Sequence, residues 1–240
     1  MTNGNMSQPE ETLAPKSDDD LSVPWTLADT WLGLGLFVLI MAGLLAVVTI
    51  WQNKTFLQSL GLVIAEFLYL APVVIILAMR HASWRALGFR KFATNNLALG
   101  CGLLVMAYLI IIVHNAILAS VGVTTQGEAF YQLFGRLSDP VWLIFVGIVL
   151  APLIEETFFR GFLFAGFRQR YGWNKAALLS STFFALAHLE LVALIPTFIL
   201  GYLLAYLFHR SRSLWPGVIL HFLVNSAGLS LIFVMSQMQK

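Results

Sequence analysis

Apolar residues run along this chain in long, nearly unbroken blocks. They do not show the alternating or 3.6-residue periodicity of a half-buried strand or helix in a water-soluble fold. A helix that crosses a bilayer needs about 20 consecutive, mostly apolar residues. The blocks at 30–51, 57–79, 97–120, 141–167, 176–189, 191–208 and 214–236 therefore predict an all-α, polytopic transmembrane helix bundle of seven to eight spans. The fourth block is long enough to tilt or to run past the membrane. The fifth and sixth are nearly fused around Glu190, and Pro196 follows shortly after, so a tight turn or a re-entrant break is expected there.

Residues 1–24 interrupt the pattern at the start. They are polar and carry Glu10, Glu11 and Asp18-Asp19-Asp20, which predicts a disordered cytoplasmic tail. The tail lacks the basic opening of a cleavable signal, so the first apolar block is expected to act as an uncleaved anchor. The transmembrane domain then covers 25–240. The outer link at 121–140 mixes Tyr131, Leu133 and Phe134 with Gln126, Glu128 and Arg136, a weak pattern for a short interfacial helix.

Composition sharpens this picture. The 240-residue chain is 59% hydrophobic and 11% charged, against about 25% charged in soluble domains. So few charges could not cover a water-exposed surface of this size. The formal net charge of +2 is too small to suggest a nucleic-acid partner. Instead the charges orient the chain. Arg80, Arg85, Arg90 and Lys91, then Arg168, Arg170 and Lys175, then Arg210 and Arg212 lie in alternate loops, whereas the other side has Lys54, Arg136 and Lys240. By the positive-inside rule the basic loops and the N-terminus are cytoplasmic. This makes the chain an integral protein of the lipid bilayer, expected in a prokaryotic cytoplasmic membrane. The single Cys101 forbids an intramolecular disulfide and reads as a small apolar packing residue.

Candidate chemistry stands out against this apolar background. Ionisable groups at bilayer depth are costly, so they mark function by default. Glu155, Glu156 and Arg160 fall within six residues of the fourth block. Phe184 and His188 follow in the fifth, and His221 and Asn225 in the seventh. Helical rise places them in one layer. Glu155 is thirteen residues from Arg168, His188 thirteen from Lys175 and Asn225 thirteen from Arg212, each roughly 20 Å deep. His221 lies one turn shallower.

Neighbouring helical positions point about 100° apart, so Glu155 and Glu156 are expected to serve different partners. Glu156 and Arg160, at i and i+4, pair on one face, leaving Glu155 to face the histidines. His221 and Asn225, also at i and i+4, address one small volume. A carboxylate beside an imidazole can take a proton from water and aim it at a carbonyl. A second imidazole and a carboxamide can hold the oxyanion that forms. This set suits amide hydrolysis.

Other readings of the same residues stay open. Ser180 and Ser181 lie too near the cytoplasmic end of their block to supply a serine nucleophile for this layer. Glu155, His188 and His221 would be adequate zinc ligands, but no His-Glu-x-x-His run is present. Activated water without a cofactor is the expectation, with zinc as the alternative. A proton-coupled transporter could use the same buried groups, and a non-catalytic immunity or scaffold protein could retain them. Glu66 is read as structural. Gly33, Gly35 and Gly43 are read as close-approach positions, and Trp142 and Trp215 as interfacial anchors.

The runs Glu155-Glu156-x-x-x-Arg160, Phe184-x-x-x-His188 and His221-x-x-x-Asn225, in this order and on separate blocks, resemble the CPBP family, the CAAX protease and bacteriocin-processing (Abi) family. The resemblance covers roughly 141–230, and Leu87-Gly88-Phe89-Arg90 adds a smaller likeness. It implies an intramembrane endopeptidase acting on a peptide or membrane-associated protein. By position, Glu155 and His188 would activate water, His221 and Asn225 would stabilise the transition state, and Glu156 and Arg160 would support the site. The oligomeric state is not implied.

Overall fold

Residues 22–50, 55–123, 131 and 141–238 are described by a computed structural model. Every regular element among them is helical. Helix α1 (Leu27–Ile50) is followed by α2 (Thr55–Leu68), α3 (Leu70–Met79), a 3₁₀ turn (Trp84–Leu87) and α4 (Asn95–Ser120). Then come α5 (Val141–Phe145), a π-helical stretch (Val146–Leu150), α6 (Ala151–Glu156) and a second π-helical stretch (Thr157–Phe164). Helix α7 (Ala165–Ala187), a 3₁₀ turn (Leu191–Ala193), α8 (Leu194–Ser211) and α9 (Trp215–Met238) complete the chain. The polar tail to residue 21 and nearly all of the link at 121–140, together with Lys54, Arg136 and Lys240, lie outside the described residues.

Five helical stretches are long and apolar enough to cross a membrane, where seven to eight were expected: Leu27–Val47, Asn95–Ser120, Trp142–Ala187, Leu191–Ser211 and Trp215–Ser236. Two physical reasons account for the difference. The second block is divided at Tyr69, and Pro72 cannot donate within the helix it joins. Its apolar part, Val63–Met79, is short. The fourth and fifth blocks are two helices that meet at Gly172, whose φ 76 and ψ 166 are non-helical, so the stretch Trp142–Ala187 holds both. Residues 173–187 rise about 22 Å at 1.5 Å each, less than the roughly 30 Å of a hydrocarbon core. They return through a sharp turn: Leu189 has φ 54, followed by the 3₁₀ turn at Leu191–Ala193. The junction around Glu190 is thus a tight turn, and Pro196 sits in the first turn of α8, where a missing N–H costs least.

The π-helical stretches bracket α6. Pro152 stands in the first turn of α6, where an unbroken α-helix would press its ring on the preceding turn. The wider π turn before it relieves that pressure. Beyond α6, the Thr157 hydroxyl donates to the Leu153 carbonyl at 2.7 Å and competes with the backbone for that acceptor. The second π stretch carries Phe158, Phe159, Phe162 and Phe164, all fully buried. This aromatic mass is the core. Phe37 and Tyr69 stack against Phe158 and Phe159 with centroids 4.7 to 6.1 Å apart, and Phe159 meets Phe184 at 5.1 Å.

Glycine decides how closely the helices approach. A Cβ at Gly33 would overlap the Phe162 ring, but nothing lies near Gly35 or Gly43, so only Gly33 serves the close approach expected of all three. Cys101 is exposed on α4 instead of packed.

One end of the bundle is tied together by polar contacts. Thr26 and Asp29 form a reciprocal capping box at the start of α1. Arg80 grips the same Asp29 carboxylate with two 2.8 Å bonds. Gln169 donates to the Trp25 carbonyl at 3.1 Å. Ser213 donates to the Arg90 carbonyl at 2.6 Å, and Leu214 N–H to the Gly88 carbonyl at 2.9 Å.

Candidate active site

Glu155 and Glu156 end α6 between the two π stretches, in the middle of the aromatic core. Glu156 is 1% exposed and Arg160 is 0% exposed. A charge so placed must be paired and hydrogen-bonded. Arg160 Nη1 donates to Glu156 Oε1 at 2.7 Å, and Nη2 donates to the Gly201 carbonyl on α8 at 3.0 Å. The Phe184 ring lies 4.4 Å from the guanidinium carbon, a cation–π distance. Gly201 permits this geometry, because a Cβ there would press on Phe184 and Ser181. The Glu156–Arg160 pair is as the i, i+4 spacing predicts.

His221 connects the two acids. Its Nδ1 lies 3.2 Å from Glu156 Oε1, and its Nε2 lies 3.6 Å from Glu155 Oε2. This corrects the expectation that adjacent glutamates serve different partners. The two ring nitrogens point in diverging directions, so one imidazole spans two carboxylates that leave their helix at different angles. Glu156 Oε2 takes no donor but sits beside Gly217, where a Cβ would lie 3.2 Å away. That is the first turn of α9, whose dipole favours an anion. Glu155 Oε2 is likewise buried without a hydrogen-bond partner.

His188 closes the C-terminal end of α7. Its Nδ1 is 2.8 Å from the Phe184 carbonyl. A carbonyl only accepts, so Nδ1 carries the proton and the neutral ring keeps a lone pair on Nε2. Phe184 thus touches three site groups: Arg160 by its face, and the rings of His188 and His221 at centroid distances of 4.8 and 5.7 Å. Asn225 is half-buried on α9, and its Nδ2 donates to the Gly147 carbonyl at 2.8 Å. Gly147 lies in the first π stretch. The amide expected to share a volume with His221 is therefore engaged with backbone that the i, i+4 argument could not foresee.

Ser180 and Ser181 are fully buried and donate to the Ala177 carbonyl, away from any base. Among the described residues no three His, Cys, Asp or Glu side chains group as a metal cage, and both nitrogens of His221 already face carboxylates. Sequence reasoning missed Gly201, Gly147 and Gly217, whose contributions are a carbonyl or a missing side chain. No residue-type signal separates them from the other glycines.

Comparison with known proteins adds an independent line. Residues 137–227 match the family described as type II CAAX prenyl endopeptidase Rce1-like, a stretch that contains all three polar runs. The chain is 23% identical over 180 residues to YdiL of Bacillus subtilis (strain 168), provisionally named a membrane peptidase, covering 73% of this chain and 72% of that protein. It is 35% identical over 98 residues to an uncharacterised 24.3 kDa protein of Escherichia coli, covering 39% of this chain and 45% of the relative. No solved structure matches. These likenesses, with all three polar runs inside the matched stretch, support a CPBP family assignment.

Proposed function

We propose that this protein is an intramembrane endopeptidase in which Glu155 and His188 activate water while His221 and Asn225 steady the oxyanion. One observation carries the reading: His221 stands between Glu155 and Glu156, with Glu156 neutralised by Arg160. A low-dielectric site favours charges paired within it, as Glu156 and Arg160 are. The same arrangement leaves Glu155 Oε2 with no donor, available to a water.

In the reaction, Glu155 takes a proton from water as the oxygen attacks the carbonyl carbon of the substrate. The lone pair on His188 Nε2 shares with Glu155 the O–H that is broken. The carbonyl oxygen becomes an oxyanion and accepts from His221 Nε2–H. The Asn225 amide joins it by exchanging its bond to the Gly147 carbonyl. Glu155 then delivers its proton to the amide nitrogen, the C–N bond breaks, and a carboxylic acid and an amine leave. Arg160 and Glu156 act through His221: Glu156 holds Nδ1, so Nε2 is aimed at the reacting atoms.

The polar ties that gather residues 26–29, 80–90, 169 and 213–214 at one end support a cytoplasmic placement for that end and for the N-terminus in a prokaryotic membrane.

The test uses purified protein in lipid nanodiscs with two quenched-fluorescence probes, a farnesylated CAAX peptide and an unmodified transmembrane peptide. Wild type is expected to cleave at least one. Glu155→Gln should lose about 10³-fold or more of that rate, as removal of a general base does, with an unchanged thermal midpoint. Undiminished cleavage by Glu155→Gln ends the catalytic assignment. Chelator treatment is expected to leave the rate unchanged, and elemental analysis to find no stoichiometric zinc; the opposite result restores the metal alternative.

A further inference from the structure

Glu66 on α2 belongs to none of the polar runs described above. Its Oε2 is buried and accepts no hydrogen bond. Helix α2 packs against α6, which carries Glu155 and Glu156. The register of that contact can be read from the aromatic rings. Tyr69 meets Phe158 and Phe159 edge-on, at 6.0 and 5.9 Å. Glu66 lies one turn before Tyr69 on the same side, and the Tyr69 N–H bonds back to the Glu66 carbonyl at 3.2 Å. One turn before Phe158 and Phe159 stands Glu155. The Glu66 carboxyl accordingly lies within electrostatic reach of Glu155 and His221, and Tyr69 within reach of both acids.

Two buried carboxylate oxygens without donors, Glu66 Oε2 and Glu155 Oε2, thus stand on packed, neighbouring helices within electrostatic reach of each other and of His221. Buried acceptors in native proteins find donors in protein or in ordered water. A buried water needs two to four polar partners, and a water offers two O–H groups. We propose that Glu66 is a positioning residue that holds one O–H of the reactive water, so that the other O–H points at Glu155. The inference rests on the hydrolytic reading of the site and deepens it. The atoms balance as before: the proton taken by Glu155 ends on the leaving amine, and the hydrogen held by Glu66 stays on the attacking oxygen and leaves with the new carboxyl group.

The experiment has a structural arm and a kinetic arm. A structure of the wild type in lipid, at a resolution that shows ordered water, should contain a solvent peak within hydrogen-bond distance of both Glu66 Oε2 and Glu155 Oε2. A Glu66 oxygen bonded instead to a protein donor overturns the proposal. For kinetics, Glu66→Leu removes the acceptor and Glu66→Gln keeps one. Glu66→Leu should lower kcat about 10²-fold, the scale of a misplaced reactant, with KM little changed. Glu66→Gln should recover much of that loss. Unaltered kcat in Glu66→Leu also overturns the proposal. If the wild type cleaves neither probe, the substrate reading fails, and the solvent peak alone decides the role of Glu66.

Discussion

Arg160 is held by three unlike partners: a carboxylate on its own helix, a backbone carbonyl on α8 and an aromatic face on α7. Lysine offers a point charge and cannot reproduce a planar fork that serves two acceptors while stacking on a ring. Arg160→Leu leaves Glu156 buried without its cation, a loss of about 3–5 kcal/mol; thermal unfolding in detergent should show a lower midpoint than wild type. Arg160→Lys should fall between the two. A midpoint equal to wild type in both variants would show that Glu156 needs no cation. Much of this level was legible in the sequence, because the i, i+4 spacing of Glu156 and Arg160 is a local rule. His221 bridging both glutamates was not, since it depends on the angle at which α9 meets α6. The bond from Asn225 to the Gly147 carbonyl depends on a π turn that composition does not announce.

At the scale of elements, the glycines give the clearest contrast. Gly33 and Gly35 are two residues apart on α1, yet a side chain on the first overlaps Phe162 and on the second meets nothing. Gly33→Ala should therefore destabilise the protein, by about 1–3 kcal/mol as overpacking does. Gly35→Ala should be neutral or gain about 0.5–1 kcal/mol from helix propensity. Equal unfolding midpoints for the two variants would contradict the packing of α1 on the second π stretch. Gly172 has open space around it but a backbone conformation that only glycine adopts freely. Gly172→Ala should cost about 1–3 kcal/mol through strain alone, read as a drop in midpoint. The sequence located these apolar blocks because length and hydropathy suffice for that. It did not reveal that the fourth and fifth blocks meet at a single non-helical residue, Gly172.

Across the whole molecule, basic residues set the expectation of orientation, and polar ties join residues from both halves of the chain at one end. Single cysteines placed by Lys91→Cys, Arg170→Cys and Lys175→Cys in a Cys101→Ser background should react with an impermeant maleimide only from the cytoplasmic side of inverted and right-side-out vesicles. Labelling of any of them from the opposite face would reverse the orientation. Two exposed leucines at the hairpin turn, Leu189 at 73% and Leu191 at 85%, suit a tip immersed in acyl chains rather than in water.

Glu155 and His188 are translated before α9, but His221 arrives with it. A nascent chain with only its first helices inserted holds a buried acid pair that lacks its bridging imidazole. On the proposed mechanism such a chain is inert toward neighbouring proteins, and completion of the last helix is the event that arms it.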